Sequence, residues 1–80
     1  MTRKLLSSKE ITEKVQSLVN QLEVVQEDNV KVVVGSARWN ELDANGSNWH
    51  ISTVQNGTAY TDEISKIIES VQSEVNIVEP

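Results

Sequence analysis

The chain has 80 residues, of which 38% are hydrophobic, with a net charge of −5 and no cysteine. A chain this small hides only about 60% of the surface it exposes when unfolded. With no Phe, one Tyr and two Trp, its core must come mainly from Val, Ile and Leu, and self-association into a homodimer would add burial. The lack of Cys excludes a disulfide framework or thiolate-bound metal, a lone His50 excludes a His-rich zinc site within one chain, and no apolar run approaches the ~20 residues of a membrane span.

Residues 1–6 read as a frayed end. Their basic start suits a secretion signal, but the apolar run is only Leu5-Leu6 where about seven to fifteen residues are needed, so a cytoplasmic protein is expected. Ser7 followed by Glu10 is a capping-box pattern, which starts a helix at Ser8 or Lys9. Ile11, Val15, Leu18, Leu22 and Val25 then recur at helical spacing, widened by Val19, along one continuous helix. A coiled-coil seam needs about three or more sustained heptads, and two are present, so packing on a sheet is the favoured use of this stripe.

Gln26, Glu27, Asp28 and Asn29 break the helix. Residues 30–34 hold four valines about Lys31, too many for one wet face, so this strand is expected to be covered on both sides. Gly35 and Ser36 mark a bulge or bend, after which residues 37–42 continue as an exposed arm; residues 34–42 form one strand or two.

Asn45-Gly46 then turns the chain into a second arm at Trp49, and two registers fit. A two-residue loop sets Leu42 opposite Trp49 and Glu41 opposite His50. A three-residue loop with Gly46 left-handed sets Asp43 opposite Ser47, Glu41 opposite Trp49 and Trp39 opposite Ile51. The second is preferred because it gathers Trp39, Trp49 and Ile51 on one face.

Asn56-Gly57 closes the second arm. Thr61 or Asp62 caps a second helix whose stripe is Ile64, Ile68, Val71 and Val75, widened by Ile67, with Asp62 and Glu63 suited to its first turn. Residues 75–78 extend this helix or form a short strand or extended tail; their β-branched character favours the latter. The fold class is therefore α+β: one two-layer domain over residues 1–80, built as helix, β-hairpin of two or three antiparallel strands, helix and a short C-terminal strand. Both helices lie on one sheet face and the other face stays open.

The chemistry-bearing residues are few. In the tight-turn register His50 faces Glu41, a pair able to move protons, but neither a pocket nor an oxyanion site accompanies it, and His50 reads as a surface strand residue. Residues 41–46 resemble the start of a calcium loop, yet Ser52 stands where the closing bidentate Glu is required. No catalytic residue, metal ligand or cofactor is assigned.

The helix-strand-strand-helix order is similar to that of the double-stranded RNA-binding domain, whose last helix opens on lysines. Here Thr61-Asp62-Glu63-Ile64 occupies that place and repels phosphate. Residues 40–80 carry Lys66 alone against seven carboxylates. Nucleic acid is therefore the lesser partner class.

Arg38, Trp39, Glu41, Asp43, Asn48, Trp49, His50 and Tyr60 make up the candidate partner-binding group on the hairpin and its adjoining loop. Trp, Tyr and Arg are the residue types that most often dominate protein interfaces. The leading expectation is a small acidic, non-enzymatic protein-interaction module, an accessory subunit or inhibitor of a larger protein. A single-stranded nucleic-acid binder and a self-assembling structural protein are the alternatives.

Overall fold

In the computed structural model, which describes residues 3–78, the two ends of the chain lie side by side. β1 (Lys4–Leu6) pairs in parallel with β6 (Val75–Ile77), Lys4 opposite Val75 and Leu6 opposite Ile77. Residues 1 and 2 fall outside the described residues, but the frayed end expected up to Leu6 is corrected. Three residues carry no readable alternation of their own, and their partner strand is supplied from the far end of the chain. β6 also settles the C-terminal alternatives in favour of a strand, because Val75 leaves the helix with extended backbone at φ −136° and ψ 149°.

α1 (Ser8–Asn20) begins as its cap residues require. Ser7 Oγ accepts from the Glu10 amide at 3.2 Å, and the Ser7 amide donates to Glu10 Oε1 at 3.1 Å. Ile11, Val15 and Val19 are fully buried along its inner face. The helix expected to run on through Val25 stops at Asn20. Leu22 takes an extended ψ of 126° and starts a separate short helix, α2 (Glu23–Glu27). The break keeps Leu22 and Val25 against the core while Val24 turns outward. Beyond the end of α2, Asn29 takes a φ of 53°, in the left-handed region that Asn tolerates better than most residues.

β2 (Val33–Val34) pairs antiparallel with β5 (Val54–Gln55), and β3 (Arg38–Trp39) with β4 (Trp49–His50). Gly35 N–H donates to the Thr53 carbonyl and Asn40 N–H to that of Asn48, both at 2.8 Å, so one register runs through the whole ribbon. Neither expected register survives along the strands: Trp39 lies opposite Trp49, and Arg38 opposite His50. The turn itself closes as the three-residue loop requires, with Asp43 N–H on the Ser47 carbonyl at 2.9 Å and Gly46 at φ 84°. Between that closure and the Asn40–Asn48 bond, Glu41 and Leu42 have no residue opposite them. This two-residue bulge slides the ladder by two positions, which changes partners but preserves faces.

Val32 and Val34 are buried whereas Val30 and Val33 are exposed. The valine run is therefore a one-sided strand with an open outer face, and the expectation of cover on both sides is corrected.

After β5 the chain makes a 3₁₀ turn, Thr58–Tyr60, and enters α3 (Thr61–Glu74). Tyr60 is its N-cap and no side chain caps it. The Thr61 hydroxyl, expected to cap the helix, donates instead to the Thr58 carbonyl at 2.9 Å. Asp62 and Glu63 occupy the first turn, where the helix dipole favours them.

α3 packs against α1 and β6, and α1 also packs against β2. Ile11, Val15, Val19, Val71 and Val75 meet Trp49 in one core, with Ile67 and Ile68 at its margin. Among the described residues no helix is long and apolar enough to cross a membrane.

Candidate functional site

The two tryptophans face one another across the ribbon and have different fates. Trp49 is 1% exposed, and its indole N–H donates to the Val75 carbonyl at 3.0 Å. Its own carbonyl accepts from Gln72 Nε2 at 2.8 Å. Asn48, also buried, pairs its side-chain amide with β6 as a strand would. Its Nδ2 donates to the Ile77 carbonyl at 3.0 Å, and its Oδ1 accepts from the Ile77 amide at 2.8 Å. β6 is thus held by β1 on one side and by Asn48 and Trp49 on another. These two residues, grouped with the surface set on sequence grounds, work inside the fold.

Tyr60 also lies inside and does not line the groove at Trp39. Its hydroxyl donates to Asp28 Oδ2 at 2.6 Å, joining the start of α3 to the end of α2. That hydrogen bond holds the proton on the phenol, and desolvation with the charges of Asp28 and Glu63 acts in the same direction. The Tyr60 pKa is raised.

Asp43 is exposed but occupied, its Oδ1 accepting from the amides of Asn45 at 2.8 Å and Ser47 at 3.0 Å. It caps the loop in the manner of an Asx turn. Glu41 lies exposed in the bulge, its carbonyl accepting from Asn40 Nδ2. That bond leaves Asn40 Oδ1 to face His50 Nδ1 at 2.7 Å. The His50–Glu41 pairing of the tight register does not form, because the bulge moves Glu41 out of the ladder.

Arg38, Trp39 and His50 remain together at the surface. Trp39 is 40% exposed and forms a wall of an open groove of about 650 Å³. Ala37, Ile77 and Val78 supply the rest of its apolar lining, and Val78 is 52% exposed. Among the described residues Arg38 and His50 are the titratable ones that line it, and the start of α1, at Ser7 and Ser8, closes one end. Ser8 Oγ donates to the Ala37 carbonyl at 2.6 Å and so ties the helix start to β3.

Of the expected residues, Arg38, Trp39 and His50 line this groove, together with Ala37, Ile77 and Val78, which lie outside the group drawn from the sequence. The apolar character of residues 75–78 was the available clue. Their place beside the hairpin depends on β6 docking there, which no local pattern announces.

A second opening, bounded by Arg3, Asp43, Glu69 and Gln72, is polar. Arg3 spans it, donating to the carbonyls of Gln72 at 2.9 Å and Asn45 at 2.7 Å. Among the described residues no three His, Asp or Glu side chains converge as a metal site. Compared with protein-family models, curated proteins and solved structures, the chain shows no match.

Proposed function

We propose that the chain is a small non-enzymatic protein-interaction module, an accessory subunit or inhibitor of a larger protein, which docks its partner on the Trp39 face. The observation that carries this reading is the half-open indole of Trp39, walling an apolar groove while its neighbour Trp49 is sealed. An exposed aromatic beside Val78, with Arg38 at the rim, has the composition of an interface anchor. A cytoplasmic setting belongs to the proposal.

The test compares Trp39→Ala with Val33→Ala, a change on the exposed outer strand surface, for retention of the same partner from the native host. A central anchor contributes about 2 kcal/mol or more to binding, roughly a thirtyfold loss on truncation. Equal retention by both variants contradicts the proposal. A homodimer formed through this face would appear as a doubled mass in sedimentation, abolished by Trp39→Ala.

A single-stranded nucleic-acid binder is the second reading, supported by Arg38 beside an indole on which a base can stack. It predicts binding of a short oligonucleotide that weakens steeply with salt.

A further inference from the structure

Resting on the reading of Trp39 as the docking face, we infer that the groove takes an acidic segment of its partner, an apolar side chain against Trp39 and Val78 and a carboxylate on Arg38. The sign of the local charge carries this. The chain as a whole is negative at −5 with His counted neutral, yet among the described residues that line the groove the charged one is Arg38. Neither hairpin acid lines the groove: Glu41 lies in the bulge, and Asp43 Oδ1 is taken up by two loop amides. Among the described residues the Arg38 side chain makes no hydrogen bond or ion pair, so its guanidinium is available for a bidentate carboxylate.

The apolar part sets the rest of the ligand. Trp39 and Val78 are the exposed walls, over the buried Ala37 and Ile77. A volume of about 650 Å³ suits a few side chains of an extended segment rather than a broad globular face. Charges more than about 8 Å away are largely screened at physiological salt. A short peptide therefore feels Arg38 along the groove and the Glu10 carboxylate, bonded to Ser7, at the end that α1 closes. A nucleic acid long enough to leave the groove meets the carboxylates of residues 40–80 and is repelled.

The test is selection of random dodecapeptides displayed on phage against the immobilised intact chain. Selected peptides are then titrated by fluorescence anisotropy against the wild type and the Trp39→Ala, Arg38→Glu, Val78→Asp and Val33→Ala proteins, each checked for folding by circular dichroism. The inference expects peptides with Asp or Glu flanking Leu, Ile, Phe or Trp. Affinity falls about tenfold or more for Trp39→Ala, Arg38→Glu and Val78→Asp, with Val33→Ala unchanged, and Arg38→Glu selects basic peptides instead. Peptides that need Trp39 but are neutral, or indifferent to Arg38→Glu, overturn the acidic assignment and leave the docking face standing. Peptides indifferent to both Trp39→Ala and Val78→Asp, or no enrichment at all, overturn the docking face and the inference with it. Selected peptides displaced by short oligodeoxythymidine at physiological salt overturn the inference in favour of nucleic acid.

Discussion

Trp39 and Trp49 are the same residue type, paired on the same ribbon face, with opposite duties. Truncating a buried Trp costs about 3–5 kcal/mol, and a domain of this size has roughly 5–15 kcal/mol in total. Trp49→Ala is thus expected to remove a fifth or more of the stability, also leaving the Val75 carbonyl without its donor. Trp39→Ala, at a ring already 40% exposed, is expected to cost less, about 1–2 kcal/mol. Urea denaturation of the two variants measures the contrast.

Tyr60 offers a second residue-scale check, because it is the sole tyrosine and its ultraviolet titration is unambiguous. Its folded-state pKa is raised above the unfolded one, so its contribution to stability is complete below the ordinary phenol value near 10.0 and is lost as pH rises through the folded value. The phenolate signal is expected to appear at higher pH than in denaturant, and Tyr60→Phe is expected to remove that alkaline loss of stability. Which indole lies inside was not readable from the sequence. Both rings share one face of the ribbon, and Trp49 is bonded to β6, which arrives from the far end of the sequence and which nothing around the hairpin announces.

The helices show what local pattern can and cannot specify. The capping box at Ser7 and Glu10 formed as spelled, because both partners lie within one turn. Ser7→Ala is expected to cost about 1 kcal/mol in a thermal melt. Glu10 adds a pH signature. The Ser7 backbone amide first and its hydroxyl second hold the Glu10 carboxyl below its ordinary 4.5, so this contribution is present above that value and is lost as pH falls through the folded pKa.

The break after Asn20 was not legible, since residues 20–22 hold no helix breaker. Leu22 departs from the helix where the core draws Leu22 and Val25 inward. Gly57 was legible only as a turn residue. In the fold it is a contact, and a Cβ there would stand 2.6 Å from Val54 Cγ1 and 3.0 Å from Ile64 Cδ1. Gly57→Ala is expected to destabilise by about 1–3 kcal/mol through overpacking between β5 and α3.

Taken whole, the molecule is closed by its two ends. β6 takes backbone hydrogen bonds from β1, an amide pair from Asn48 and an indole bond from Trp49. Asn48→Ala leaves the Ile77 amide and carbonyl without their partners, at about 1–3 kcal/mol for each buried group unsatisfied. Amide exchange of residues 75–77 is expected to quicken before that of α1. The groove owes its existence to this closure: Trp39 and His50 come from the hairpin, and Ile77 and Val78 from the far terminus. A patch confined to the hairpin was as much as the sequence disclosed, because parallel pairing between chain ends leaves no local trace.

The division between the two indoles underlies both the fold and the proposed docking face, and their side-chain N–H signals in a nitrogen–proton correlation spectrum report it directly. On transfer to heavy water, one signal is expected to persist, that of Trp49 bonded to Val75. The other, absent in Trp39→Phe, is expected to vanish early and to be the one that shifts when a selected acidic peptide is added to the protonated sample. Two equally protected indoles, or loss of the persistent signal in Trp39→Phe, would contradict the account.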